Sequence, residues 1–174
     1  MKHKALLKLI LCYIVAAVSM FVMLNYIGAK RLNRQFLKEK AELLTEEAGL
    51  IAEEYVTPYY RDTTKLADML VQLRSIDRFL GTRIWVVNTN GMVFVDTGEG
   101  SRARGINVDN YNPQFLDEVV KGDYLTDVIF PGVMAKGMLA VAQPIYLDYS
   151  LRGYVCIFLP MASVSESVTQ YLDI

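Results

Sequence analysis

The sequence predicts an α+β chain: an N-terminal transmembrane helix continues into a long helix, which packs on a five-stranded antiparallel sheet. Three observations predict it. The apolar run from Leu9 to Leu24, with flanks from Ala5 to Ile27, is long enough to cross a bilayer as a helix at about 1.5 Å per residue. A helical apolar period follows it, and after Gly81 the pattern changes to short runs rich in branched and aromatic residues.

The run reads as an uncleaved span. A secretory signal has a shorter apolar core, of about 7 to 15 residues, ending at small residues, whereas Ile27-Gly28-Ala29 leads straight into Lys30 and Arg31. A lipid anchor at Cys12 would need small residues in place of Leu9-Ile10-Leu11. Lys2, Lys4 and Lys8 on one flank face Lys30, Arg31, Arg34 and Lys38 on the other, so charge alone leaves orientation open. A short basic tail of residues 1–4 in the cytoplasm, a span over 5–27 and an extracytoplasmic domain over 28–160 is the arrangement expected, at the cell membrane.

Beyond the span about 145 residues remain, enough for one domain with a core, and eleven tyrosines and seven phenylalanines are available to the chain for packing. Three of the eighteen basic residues, Lys2, Lys4 and Lys8, lie before or within the span, leaving fifteen against nineteen acidic ones, a balance that argues against a nucleic-acid partner. Cys12 lies in the apolar run and Cys156 in the apolar stretch Tyr154 to Leu159, so no intrachain bridge is expected.

Within a long helix over 30–57, Leu37, Ala41, Leu44, Ala48, Ile51 and Tyr55 recur at alternating spacings of four and three, the seam of a packed helix. Phe36, Leu43 and Leu50 widen the stripe, so one helix has apolar groups for a dimer partner and for its own domain. A signalling seam and a helix laid on a sheet both fit. On the seam reading, charges at Leu44 and Ile51 disrupt signalling and leave the domain folded. Pro58 is expected to stop the helix. Asp62-Thr63-Thr64 is placed to cap a second one carrying Leu66, Met69, Leu70, Leu73 and Leu80, with Gly81 ending it.

Ile84 to Val87 and Met92 to Val95 then form a hairpin across Asn88-Thr89-Asn90-Gly91, a strong turn signal. Thr97 to Asn112 is a long irregular connection of the lid or binding-loop kind. Pro113 opens a short helix, Gln114 to Lys121, before strands near Tyr124 to Phe130, Met138 to Tyr146 and Leu151 to Leu159. Residues 161–174 read as an exit helix, with Val164, Val168, Tyr171 and Leu172 on one face, leading to a second span not included.

The hairpin Ile84-Trp85-Val86-Val87-Asn88-Thr89-Asn90-Gly91-Met92-Val93, with Gln143-Pro144-Ile145-Tyr146 followed by Gly153-Tyr154-Val155, resembles the single Cache (PDC, PAS-like) sensor domains of bacterial receptors. The element order looks most like the extracytoplasmic region of a transmembrane histidine kinase. That resemblance implies a sheet of order 2-1-5-4-3, N-terminal helices on one face and a ligand pocket, when present, on the other. It implies a homodimeric lever between two spans, a kinase core after residue 174 and a cognate response regulator reached through it. No residue set here matches the carboxylate- or amino-acid-binding signatures of ligand-bound members.

Catalysis is not expected within these residues. The sole histidine, His3, precedes the span, and no phosphate-binding Gly-Lys-Ser/Thr loop occurs, so no cofactor or metal is assigned. Arg102 and Arg104 are candidates to clamp an anionic ligand, with Tyr111, Tyr124 and Lys136 closing around it; the alternative is that all five are ordinary solvated residues. Trp85 reads as core. The scattered acids Asp96, Glu99, Asp109, Asp117, Glu118, Asp123 and Asp127 lack the spacing of a cation loop.

The leading reading is therefore the sensing input of a two-component histidine kinase, for an unknown small-molecule or protein ligand. The alternatives are the input domain of a chemoreceptor or diguanylate cyclase, and a pilin-like structural subunit. Against the last, Leu6 to Leu24 contains no glutamate.

Overall fold

A computed structural model describes residues 2–121 and 124–164, with α1 side chains described at 12–24, 26, 31 and from 34 onward. Residues 1–37 form one compact unit and residues 38–174 another. Helix α1 (Lys2–Ile51) is followed by a π-turn (Ala52–Val56), α2 (Thr57–Tyr60) and α3 (Leu66–Leu80). Strands β1 (Arg83–Asn88) and β2 (Val93–Asp96), α4 (Phe115–Lys121), then β3 (Leu125–Phe130), β4 (Met134–Leu147) and β5 (Ser150–Pro160) complete the order. Among the described residues no helix is long and apolar enough to cross a membrane.

The five strands pair antiparallel in the order β2-β1-β5-β4-β3, which places the N-terminal and C-terminal strands of the sheet side by side at its centre. Side chains alternate across the sheet. Ile84, Val86, Leu139, Val141, Val155 and Ile157 take one parity; Trp85, Val87, Ala140, Ala142, Cys156 and Phe158 take the other. All are buried, so both faces of the sheet are covered. The π-turn packs on β4 and α3, and α3 packs on β1.

The helical stripe resolves accordingly. Ala41, Leu44, Ala48 and Ile51 are buried within a single copy of the chain, and Tyr55 is half-buried in the π-turn. Leu37, in the first unit, is buried as well. In contrast Leu43 and Leu50, seven residues apart, are 60% and 51% exposed. The expectation that Leu44 and Ile51 accept charges in a folded domain is therefore corrected, because their sites are core.

Two local expectations also change. Pro58 does not stop the helix: the chain widens into the π-turn, Thr57 donates its backbone N–H and its hydroxyl to the Ala52 carbonyl, and Pro58 sits in the first turn of α2, where its missing N–H costs little. Helix α2 ends at Tyr60, and two residues further on Asp62 takes a left-handed φ of 55°. Nor does Asp62-Thr63-Thr64 cap α3. Thr63 donates its hydroxyl to the Pro58 carbonyl instead, and Lys65 is the N-cap without a side-chain bond. Gly81 does end α3 in a left-handed conformation, φ 64°.

In the β1–β2 turn, Asn88 Oδ1 accepts from the Asn90 and Met92 amides, and Gly91 takes φ 76°. A Cβ at Gly91 would stand 2.7 Å from both Asn107 Oδ1 and Asp109 Oδ2, so the position needs glycine for space as well as for φ. Pro144 lies within β4 opposite Tyr154 of β5, beyond the part of β4 that β3 reaches, so its missing N–H faces no strand. Of the exit helix, 161–164 are helical; Val168, Tyr171 and Leu172 lie outside the described residues.

Replacing Ile51, which is fully buried, with alanine is expected to cost about 2–5 kcal/mol. Ile51→Glu should prevent folding. Urea denaturation followed by circular dichroism checks both, and a cooperative transition with an unchanged midpoint in the alanine variant would contradict the packing.

Candidate functional site

The face of the sheet turned away from α3 and covered by α4 is built from aromatic side chains. Trp85, Phe115, Phe130 and Phe158 are buried within 1% exposure, with ring centroids 4.8 Å apart for Trp85 and Phe130, 4.6 Å for Trp85 and Phe158, and 5.4 Å for Phe115 and Phe130. Val108, Ala103, Val119 and Met138 join the same cluster. The resemblance puts a ligand pocket on this face; here the protein's own rings occupy it.

The long connection after β2 closes over that cluster as part of the core. Gly105 donates to the Val93 carbonyl, Val93 to the Ile106 carbonyl, and Met92 bridges to Asn107, so the returning chain runs along the outer edge of β2. Ala103 and Val108 point into the core at 0% exposure.

Asp96 anchors this arrangement. Its side chain is wholly buried and accepts five hydrogen bonds: from Arg83 Nε at 2.8 Å and Arg83 Nη2 at 2.7 Å, from Trp85 Nε1 at 3.0 Å, and from the amides of Gly98 at 3.0 Å and Ala103 at 2.8 Å. The third face of the guanidinium is used too, since Arg83 Nη1 donates to the Val133 carbonyl at 3.0 Å. Burial pushes the Asp96 carboxyl upward, but the Arg83, Ala103 and Gly98 hydrogen bonds and the Arg83 charge outweigh it, holding the group below the usual carboxylate range. Asp96 was not singled out as a structural anchor from the sequence; the available signal was an acid ending the apolar run Val93-Phe94-Val95.

At the adjoining end of the sheet, where α3 stops and β1 starts, lies a polar cleft of about 620 Å³. Arg74, Asp77 and Arg78 of α3, Thr82, Arg83, and residues 97–100 line it. Arg74 Nη2 donates to Ser101 Oγ at 3.2 Å, and Ser101 Oγ donates to the Asp96 carbonyl at 2.9 Å, which ties α3 to the connection. Burial pushes the Asp77 carboxyl up, against a hydrogen bond with Thr97 and the charges of Arg83 and Arg78, and with the charge of Asp96 adding to the rise.

The five candidate ligand contacts are dispersed. Arg102, Arg104 and Lys136 are exposed. Tyr111 stacks edge-on against Phe130, 5.7 Å between centroids, at the rim of the aromatic cluster. Tyr124 instead lines a cleft of about 280 Å³ with Lys38, Ala41, Glu42, Thr45 and Glu46 of α1. Leu125, next in sequence, packs on the aromatic cluster, so strand alternation sends Tyr124 to the other side and away from Tyr111. The expected closure of Tyr111 and Tyr124 around one ligand is corrected by that parity. Of the acids, Asp96 is spent on Arg83, Asp117 pairs with Lys121 at 3.2 Å, and among the described residues no group of three potential metal ligands gathers. Burial pushes the Cys156 thiol up to about 12, leaving it an inert core group.

The chain has a Cache-like, PAS-like fold. It is similar to the sensor domain of the Vibrio cholerae histidine kinase DctB, with a TM-score of 0.61 at 9% identity over 82% of this chain and 57% of that one. It is similar also to the sensory domain of the Campylobacter jejuni chemoreceptor Tlp3 with isoleucine bound, with a TM-score of 0.57 at 9% identity over 79% of this chain and 58% of that one. The Escherichia coli DcuS sensor domain gives a TM-score of 0.55 at 15% identity, over 79% of this chain and 98% of that one. The chain thus spans little more than half the length of the first two and nearly all of the third. No protein-family model and no curated protein sequence matches it.

Because the Asp96 pKa is depressed in the folded state, its stabilisation is present above the unfolded value of about 3.9 and is lost as pH falls through the lower folded value. Asp96→Asn should lose about 3–5 kcal/mol at pH 7, since it leaves the Arg83 charge buried without its partner. The two proteins should converge as pH falls through that folded value. Urea midpoints measured from pH 7 to 2.5 check this; parallel profiles would contradict it.

Proposed function

We propose that this chain is the signal-sensing input region of a membrane two-component histidine kinase. The observation that carries the proposal is the β2-β1-β5-β4-β3 sheet preceded by a long N-terminal helix, in a chain whose fold is similar to the sensor domains of DctB and DcuS. The likeness to the Tlp3 chemoreceptor domain favours a second output, so a chemoreceptor is the alternative reading; a diguanylate cyclase would use the same input.

The membrane anchor is part of this proposal. Described side chains in the apolar run cover residues 12–24, and Ile14, Val15, Val18, Met20, Phe21, Val22 and Leu24 are all more than half exposed. Large apolar groups exposed around a whole helix need an apolar surrounding. The sequence flanks Ala5 and Ile27 supply the remaining length. The domain then faces the extracytoplasmic side, and the signal leaves through helix displacement in a homodimer.

Leu43 and Leu50, which widen the stripe beside the seam, are the exposed leucines left for that dimer, since Ala41, Leu44, Ala48 and Ile51 are committed to the core. Their spacing of seven returns them to one line on the helix. The stimulus, a small molecule or a partner protein, acts at the surface of the domain, because the aromatic cluster fills the central face. Arg102 and Arg104, exposed on the connection after β2, remain available to it. The response regulator would be met through a kinase core beyond these residues.

Alkaline phosphatase fused after Ile174 should be active in a bacterial host, and a green fluorescent protein fusion dark; the reverse pattern would overturn the proposed topology. Leu43→Glu with Leu50→Glu should shift the full chain in micelles from dimer to monomer by at least tenfold in dissociation constant, with an unaltered thermal midpoint for the domain. Sedimentation equilibrium measures the first and circular dichroism the second.

A further inference from the structure

The polar cleft at the end of α3 contains a combination that the fold does not need for its own stability. Thr82 is 7% exposed, lines the cleft, and its Oγ1 has no hydrogen-bond partner among the described residues. A buried hydroxyl left unpaired costs about 1–3 kcal/mol, so such a group is retained where something else satisfies it. Arg74 and Arg78 lie one helical turn apart and line the same cleft. Arg74 uses one N–H on Ser101, which leaves the rest of its five-donor fork free for a second partner.

The opposing charges in the lining are already engaged or solvated. Arg83 and Asp96 neutralise each other behind the cleft, Asp77 stands half-buried with its carboxyl pushed up by burial, and Glu99 stands exposed. The surplus is therefore in donors: two guanidinium forks and one hydroxyl, with no free buried carboxylate set against them. Gly98 lets the connection pass this close, since a Cβ there would collide with the Arg83 guanidinium.

We propose that this cleft binds the oxyanion of a small organic acid or phosphate ester, held by Arg74 and Arg78 with Thr82 donating its hydroxyl. Its volume of about 620 Å³ is that of a metabolite-sized site. Planar guanidinium forks match the paired oxygens of a carboxylate or phosphate. An anion seated there touches α3 and residues 97–100 together, two segments that Arg74 and Ser101 already join. The site lies away from the central face, so ligand entry requires no rearrangement of the aromatic cluster. The binding claim stands apart from the sensing proposal, which it deepens by supplying a ligand class; binding is read without any signalling output, so either can fail alone.

The test titrates malonate, and separately inorganic phosphate, into the full chain in detergent micelles at constant ionic strength, following the amide resonances of Thr82, Gly98 and Gly100. Saturable shifts at these three amides are expected, with the tighter probe identifying carboxylate or phosphoryl chemistry. Arg78→Ala, which removes an exposed side chain, should weaken binding at least tenfold with the fold intact, and Thr82→Val several-fold. Asp77→Asn should tighten it, because it removes the nearest negative charge. No saturable shift with either probe, or an unchanged dissociation constant in Arg78→Ala, would overturn the proposal. Weaker binding in Asp77→Asn would overturn it as well, by making the carboxyl a ligand contact.

Discussion

The Arg83–Asp96 pair is the interaction on which the domain's architecture turns. A buried ion pair repays the loss of hydration when the remaining polar atoms are also satisfied, and here five donors reach one carboxylate while the guanidinium reaches a second acceptor at Val133. Those partners come from the start of β1, the end of β2, the connection that follows it, and the turn between β3 and β4. A single charged cluster thus fixes the ends of three strands and the course of a connection with little regular structure of its own.

What that connection does follows from its anchoring. Held by Asp96 at Gly98 and Ala103, it lays Ala103 and Val108 over Trp85, Phe115, Phe130 and Phe158. The central face becomes a second hydrophobic core, where the family resemblance implied a ligand pocket. Packed rings at these distances contribute both area burial and directional edge-to-face contacts. Polar chemistry collects instead at the sheet end beside Arg83, where α3 stops and the backbone bends away.

Much of the local structure was legible because its causes are local. Asn88 to Gly91 makes the hairpin turn through one side-chain acceptor and one left-handed glycine, and Gly81 ends α3 by the same conformational freedom. Pro58 and Asp62 were misread for an equally physical reason. Proline forbids particular backbone bonds, and a π-turn can remove the demand for them; a capping residue is useful only if the chain enters the helix where it stands. Arg102, Arg104, Tyr111, Tyr124 and Lys136 show the limit of proximity arguments. Their types suit a binding site, but one step of strand parity sends Tyr124 to the side of α1 and leaves Tyr111 against Phe130.

By itself the sequence determined the α+β class, the order of its elements and the apolar faces of its helices and strands, because periodicity and turn chemistry act over a few residues. It also placed an apolar run of bilayer length before the domain. Only the tertiary structure decided which apolar face is covered: Leu44 and Ile51 entered the core while Leu43 and Leu50 stayed outside it. It likewise decided that Asp96 is a structural anchor and that Thr82, Arg74 and Arg78 share a cleft. Those pairings join residues distant along the chain, and the energy that selects them, charge desolvation balanced against complete hydrogen bonding, exists only once the surrounding core has excluded water.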